Sequence, residues 1–144
     1  MSKLIINTDG GSRGNPGPAA IGVVIKATSS DGKVVNNELS ECIGVATNNV
    51  AEYMAVLKAL EWCKENNFKN SEIEFNLDSM LVVEQLNQRF KLKNEGLKPL
   101  FWQIREHILE LGGRVSFAHI PREKNKEADA LVNMALDKEG EKNV

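Results

Sequence analysis

The order of apolar periodicities along the chain constrains its fold more than any other feature. Segments with strand character come first, at Lys3–Asp9, at Ile21–Ala27 and around Val34–Ile43. Helical and strand segments then alternate, and no repeat or low-complexity tract interrupts them. Three successive strands followed by alternating units predict a mixed β-sheet with helices on its faces. The sequence therefore predicts an α/β fold.

The later segments complete this prediction. Helical spacing of apolar residues begins after Thr47 and recurs after Ser79. The remaining predicted elements are a strand at Ile73–Leu77, a helix across Leu97–Leu111, a strand at Arg114–Ile120 and a helix at Lys124–Leu136. Residues 137–144 are charged and are predicted to fray.

Length and composition favour a single domain spanning residues 1–144. Cys42 and Cys63 form no CxxC motif and neighbour no histidine cluster, which argues against a disulfide framework or a zinc site. Neither a signal peptide nor a membrane-spanning stretch is recognisable. We therefore predict a cytoplasmic protein, with a monomer as the default. The net charge of -2 argues only against binding nucleic acid by bulk electrostatics.

Four acidic residues stand where a carboxylate could reach a shared site. Asp9 ends the first predicted strand, and Asp78 ends the fourth. Glu52 and Asp129 lie in the first turns of predicted helices. Ligand sites in open α/β sheets collect at the carboxyl ends of strands, so Asp9 and Asp78 could converge if their strands are neighbours.

Each acid also has a purely structural explanation. Asn49 and Glu52 have the spacing of a capping box, and Asp78 could cap a helix. Asp129 could be a surface charge near a helix start, and Asp9 could begin a turn. As a set, however, the four carboxylates would repel one another unless cations lay among them. Hard oxygen ligands of this kind suit Mg²⁺ or Mn²⁺.

Four motifs stand in order across most of the chain. They are TDGGSRGNPGPAAIGVVI, TNNVAEYMAVLKAL, LDSMLVVEQL and PREKNKEADALVNMA. From about Leu4 to Leu136 the sequence resembles the type 1 ribonuclease H family. The resemblance implies a five-stranded mixed sheet flanked by helices. It also implies that the four acids, Asp9, Glu52, Asp78 and Asp129, are catalytic metal ligands.

The implied activity is metal-dependent endonucleolytic hydrolysis of the RNA strand of RNA–DNA hybrids. Two Mg²⁺ or Mn²⁺ ions would be bound together with the substrate. One would lower the pKa of a bound water and the other would stabilise the leaving 3′ oxygen. By the same resemblance, the products would carry a 5′-phosphate and a 3′-hydroxyl. Cleavage of double-stranded RNA is left open.

The resemblance also implies contacts with the minor groove of the hybrid. The glycines after Asp9 could serve merely as a flexible connection between strands. Alternatively, their lack of side chains would let the backbone approach a nucleic acid closely. Backbone amides and asparagines suit the RNA 2′-hydroxyl, which both donates and accepts hydrogen bonds. The predicted substrate-binding residues are Gly10, Gly11, Ser12, Asn15, Asn48 and Asn49.

The chain departs from well-known members of the family at three places: the stretch after the Asp78 helix, position 80, and the loop before the last helix. The basic protrusion after the Asp78 helix shrinks to a short stretch whose cations are Arg89, Lys91, Lys93 and Lys98; a solvated turn explains them equally well. Met80 stands where a glutamine is common.

No histidine occupies the loop before the last helix, where many members carry a catalytic one. His107 lies within a predicted helix, and His119 comes one step too early. Arg122 is the predicted catalytic residue there, because a guanidinium can hold a phosphate bidentately although it cannot shuttle protons. Trp62 and Trp102 are predicted to lie in the core.

Two rival hypotheses remain from the sequence. One is a catalytically weak accessory module that binds hybrids on the same fold. The other is a structural domain whose acids are helix caps.

Overall fold

The computed structural model describes residues 2–142, which form a five-stranded sheet with helices on both faces. The strands are β1 (Lys3–Ser12), β2 (Gly17–Thr28), β3 (Val34–Ala46), β4 (Glu72–Leu77) and β5 (Val115–His119). The α-helices are α1 (Asn48–Glu65), α2 (Met80–Leu86), α3 (Lys98–Glu110) and α4 (Lys126–Lys142). A short 3₁₀ helix spans Arg122–Lys124.

The sheet order is β3-β2-β1-β4-β5, with β1 at the centre. β1 pairs antiparallel with β2, and β2 pairs antiparallel with β3. On its other side β1 runs parallel to β4, and β4 runs parallel to β5. The predicted mixed sheet is confirmed, and the carboxyl ends of β1 and β4 lie side by side.

The helices cover the sheet unequally. The main core lies under α1 and α3, where Tyr53 packs among strand residues such as Ile6 and Phe75. α4 covers the opposite face, on which Leu131 and Val132 pack against β2. No helix within residues 2–142 has the length and apolar character needed to cross a membrane.

Two predicted boundaries are wrong. The glycine-rich segment after Asp9 is not a loop from its first residue, because β1 continues through Ser12, which pairs with Ala19. α4 continues to Lys142 instead of fraying from residue 137. An ion pair of 2.6 Å between Arg13 and Asp137 anchors this extra helix. The last part of the predicted frayed tail, residues 143–144, lies outside the described residues.

The core prediction holds for one tryptophan and fails for the other. Trp62 is half-buried and stacks on Phe68 with ring centroids 5.5 Å apart. Trp102 is 66 % exposed, because Ile104 and Ile108 supply the buried side of α3.

Candidate active site

The parallel pairing of β1 and β4 brings two of the predicted acids together. Leu77, the last residue of β4, pairs with Thr8, so Asp78 follows β4 at the level of Asp9. Asp78 does not cap α2, because the Ser79 side chain accepts the hydrogen bond from the first turn of that helix. The structural explanation of Asp78 as a helix cap is therefore wrong.

Gly10 allows the third acid to reach this place. A methyl group at Gly10 would lie 2.2 Å from the carbonyl carbon of Ala51, so the start of α1 sits directly on β1. Glu52 follows Ala51 and is buried with 7 % exposure. The cap of α1 is the Thr47 side chain, which accepts from the backbone of Val50. Close packing on a glycine places Glu52 beside Asp9.

Gly22 has the same function on the other face of the sheet. A methyl group there would lie 2.1 Å from the carbonyl oxygen of Ala128 in α4. The next residue, Asp129, is exposed, and its negative charge lies near enough to Asp9 to help raise the pKa of the Asp9 carboxyl. The helix contact at Gly22 therefore brings the fourth acid to the rim of the cluster.

The three inner acids have the arrangement of a cation site. Asp9, Glu52 and Asp78 each offer one carboxylate oxygen, and these oxygens lie within 4.8 Å of one another. Oε2 of Glu52 is buried without a hydrogen-bond partner among the described residues. A buried carboxylate oxygen without a donor costs stability unless a cation binds it. The donor set is all oxygen and fits Mg²⁺ or Mn²⁺.

The electrostatics of the cluster agree with this assignment. Burial raises the pKa of Asp9 to about 7, and the negative charges of Asp78 and Asp129 add to the effect. Burial, and next the charge of Asp9, raise the pKa of Glu52 well above its ordinary value. Negative charges held together out of water favour binding of protons or metal cations.

We expect the raised pKa of Asp9 to make the metal-free protein less stable as pH rises. Unfolded, this carboxyl titrates near 3.8, but folded it titrates near 7, so the folded state holds the extra proton between these values. Its contribution to the free energy of unfolding is therefore lost as pH rises through that window. In EDTA near pH 8, Asp9→Asn should raise the Tm by roughly 5 °C, since about 1 kcal/mol shifts it by about 2–4 °C.

Thermal unfolding in EDTA at two pH values measures this effect. Near pH 4 the substitution should change the Tm little, because the folded Asp9 is already neutral there. Glu106→Gln, which removes an exposed carboxylate on α3, is the matched control and should leave the pH dependence unchanged. Equal Tm shifts for Asp9→Asn at both pH values would contradict the account.

Of the six predicted substrate-binding residues, all but Asn15 line a groove beside the acids. Oδ1 of Asn48 accepts from the backbone nitrogen of Ser12 at 2.9 Å and from its hydroxyl at 3.1 Å. Oδ1 of Asn15 accepts from the backbone nitrogen of Asn48 at 3.0 Å. These bonds hold Ser12, Asn15 and Asn48 together. They also orient the two amides, so that Oδ1 of Asn48 faces Ser12 and Oδ1 of Asn15 faces the start of α1. Gly10, Gly11 and Asn49 line the same groove.

Comparison with known proteins relates this arrangement to one family. A family model described as reverse transcriptase-like matches residues 7–135. "Bifunctional protein Rv2228c" of Mycobacterium tuberculosis is 39% identical over 94% of this chain and 36% of its own length. "Ribonuclease HI" of Halobacterium salinarum is 44% identical over 90% of this chain and 62% of its own length. The chain thus spans about a third of the length of the first relative and less than two thirds of the length of the second.

A solved structure matches over nearly its full length. LC11-RNase H1, determined in complex with an RNA/DNA hybrid, has a TM-score of 0.84 and 47% sequence identity, covering 94% of this chain and 97% of that one. The chain belongs to the type 1 ribonuclease H family. The predicted family and fold are thereby confirmed.

Within this ribonuclease H domain, the loop before α4 brings Arg122 to the groove that the acids line. The two histidines are elsewhere. His107 lies on α3, where its Nδ1 is 3.0 Å from Nζ of Lys64. His119 ends β5 and is not among the residues lining the groove. Of Arg122, His107 and His119, only Arg122 lies at the groove and can take the place of the histidine that many family members carry there.

The reduced basic stretch contains less free positive charge than its sequence suggests. Residues 87–97 connect α2 to α3 without a helix. Arg89 donates from Nε and Nη2 to the two carboxylate oxygens of Glu84, at 2.6 and 2.7 Å. Lys98 pairs with Glu95 at 2.6 Å. Two of the four cations of this ribonuclease H segment are therefore already paired.

Sequence reasoning missed several residues of this site, including three polar ones on or just before α4. Lys126 and Asn133 of α4 line the groove, and Asn125 is buried with 1 % exposure against Asp78. Lys126 and Asn133 could have been found from the helical spacing around Asp129. No signal in the sequence distinguishes Asn125 from an ordinary loop or cap residue.

Proposed function

We propose that this ribonuclease H hydrolyses the RNA strand of RNA–DNA hybrids in the presence of Mg²⁺ or Mn²⁺. The observation that carries the proposal is the cluster of Asp9, Glu52 and Asp78, with oxygens within 4.8 Å, at one end of a groove lined by asparagines. The hybrid bound by LC11-RNase H1 supports the choice of substrate.

The four acids would hold two divalent ions when the substrate is bound. Asp9 is central, because burial and the charges of Asp78 and Asp129 raise its pKa, and its own charge helps to raise the pKa of Glu52. Bound ions supply the Lewis acidity that activates the attacking water and stabilises the leaving 3′ oxygen. Attack on the side opposite the 3′ oxygen leaves a 5′-phosphate and a 3′-hydroxyl.

Selection of RNA would rest on the interlocked polar residues. Because Oδ1 of Asn48 faces Ser12, its Nδ2 is available for an acceptor in the groove. The Asn15 amide is oriented in the same manner by its bond from the backbone of Asn48. These amide donors can bind a 2′-hydroxyl oxygen, which DNA lacks. Fixed donors avoid the entropic cost of ordering them at each binding event.

Arg122 would orient the phosphate next to the acids. We expect Arg122→Ala to lower kcat by roughly tenfold to a hundredfold, because a donor acting on developing charge is lost. The Kd for the hybrid should change less than kcat. Steady-state kinetics and a binding titration separate the two effects. Lys124→Ala removes a cation of the same 3₁₀ helix that does not line the groove and is the matched control. Equal kcat in Arg122→Ala and wild type would refute this role.

A panel of duplexes tests the proposed function. Hybrid, double-stranded RNA and double-stranded DNA, each labelled on both strands, are incubated with the protein in Mg²⁺ or Mn²⁺. We expect cleavage of the RNA strand of the hybrid, with 5′-phosphate and 3′-hydroxyl ends. Binding without cleavage would favour the accessory-module hypothesis instead. Loss of the DNA strand would contradict the proposal. The sample with double-stranded RNA shows whether the protein also cleaves that duplex.

A further inference from the structure

Asn125, the residue before α4, lies beneath the carboxylates and is almost completely buried. Its Nδ2 donates to Oδ2 of Asp78 and to the carbonyl oxygen of Thr8, each at 2.9 Å. Thr8 immediately precedes Asp9 in β1. One amide group therefore connects the Asp78 carboxylate to the backbone that carries Asp9.

An ordinary helix cap does not explain this side chain. An asparagine before a helix caps it by accepting, through Oδ1, a hydrogen bond from a backbone N–H of the first turn. Oδ1 of Asn125 is buried and has no hydrogen-bond partner among residues 2–142. An unpaired buried acceptor costs stability, so a side chain held in this orientation calls for an explanation other than capping. Only the Nδ2 end of the amide is bonded, and it faces Asp78.

The backbone of Asn125 reaches two further groups of the site. Its carbonyl oxygen accepts from the backbone nitrogen of Asp129 at 3.1 Å, in the first turn of α4. Its own nitrogen donates to the carbonyl oxygen of Arg122 at 2.9 Å, which closes the 3₁₀ helix. Asn125 thus connects the segments that carry Asp78, Asp129 and Arg122 to the centre of the sheet.

We propose that Asn125 is a positioning residue, whose amide holds the Asp78 carboxylate in the orientation that lets Asp78 and Asp9 bind the same divalent ion. The inference rests on the proposed function, since it assigns Asn125 to that site. Asn125 contacts neither the ion nor the substrate and acts through Asp78. Hydrogen-bonding partners of metal ligands typically change metal affinity or activity by about 10–100-fold.

Two variants test this inference. Asn125→Ala removes the amide, and Asn125→Ser removes it while leaving a good capping residue before α4, which protects folding. Mn²⁺ binding is followed by the electron paramagnetic resonance signal of free Mn²⁺, and kcat and KM are measured on the hybrid. All measurements are made well below the Tm of each variant. We expect Mn²⁺ affinity to fall by about tenfold or more and kcat by a similar factor, with a smaller change in KM.

Asn87→Ala is the matched control. Nδ2 of Asn87 donates to the carbonyl oxygen of Phe117 at 3.0 Å, which is the same kind of bond at a place away from the acids. This variant should lower the Tm without changing Mn²⁺ affinity or kcat. If the Asn125 variants likewise lose only thermal stability, the inference is overturned. A wild-type protein that neither binds Mn²⁺ nor cuts the hybrid would overturn the proposed function itself, and the inference with it.

Discussion

Asp78→Asn is expected to lower hybrid cleavage in Mg²⁺ by roughly three orders of magnitude, or about 4 kcal/mol of transition-state stabilisation. The substitution keeps the size and shape of the side chain but removes its negative charge. An amide is a much poorer ligand for a hard cation than a carboxylate. Single-turnover cleavage of a labelled hybrid measures the loss without interference from product release.

The fold should survive this change. Asparagine can still accept the hydrogen bond from Nδ2 of Asn125, and one of the mutually repelling charges disappears. The Tm in EDTA should therefore be equal to or above that of the wild type. Glu106→Gln, which neutralises an exposed carboxylate on α3, should cut the hybrid at the wild-type rate. Cleavage by Asp78→Asn within threefold of wild type would refute the catalytic role of Asp78.

Gly10→Ala is expected to have the largest effect on stability. The added methyl group would lie 2.2 Å from the carbonyl carbon of Ala51 and 2.3 Å from its oxygen. These are backbone atoms of α1, so the helix must move as a unit. Overpacking of this kind typically costs about 1–3 kcal/mol and occasionally more. We expect at least about 3 kcal/mol, and also loss of cleavage because Glu52 moves away from Asp9. Urea unfolding measures the first effect.

The neighbouring glycine provides a matched control. A methyl group at Gly11 would meet Cγ1 of Val132 at 3.7 Å, which is an ordinary contact. Gly11→Ala should therefore leave the free energy of unfolding within about 0.5 kcal/mol of wild type, as for substitutions without a clash. Equal destabilisation by the two substitutions would mean that the contact between β1 and α1 does not set the cost at Gly10.

The outline of the fold was predictable because local patterns determine it. Alternating apolar residues predicted β4, and helical spacing from Leu97 predicted α3, to within a few residues. The helix at Lys124–Leu136 was predicted too short at its end, because the charged residues after Leu136 carry no apolar stripe, and the pairing of Asp137 with Arg13 has no local signal in the sequence. The prediction for Trp102 failed because its side chain lies off the side of α3 that Ile104 and Ile108 bury against the core.

The candidate site, like the fold, was predictable only where the signal lies in local sequence. Position at strand ends and helix starts, together with the four motifs that resemble those of the family, selected Asp9, Glu52, Asp78 and Asp129, and the structure brings all four together. The need for glycine at position 10 was interpreted as room for nucleic acid, whereas the closest neighbour is α1. Such contacts depend on the packing of elements distant in the chain and leave no local signal.

The carboxylate cluster is expected to bind the divalent ions on which cleavage depends. Mn²⁺ is titrated into the protein while bound Mn²⁺ and the rate of hybrid cleavage are measured in the same samples, for wild type and Asp9→Asn. We predict that binding and cleavage rise together in the wild type and are both lost in Asp9→Asn. Undiminished Mn²⁺ binding and cleavage in Asp9→Asn would contradict the account.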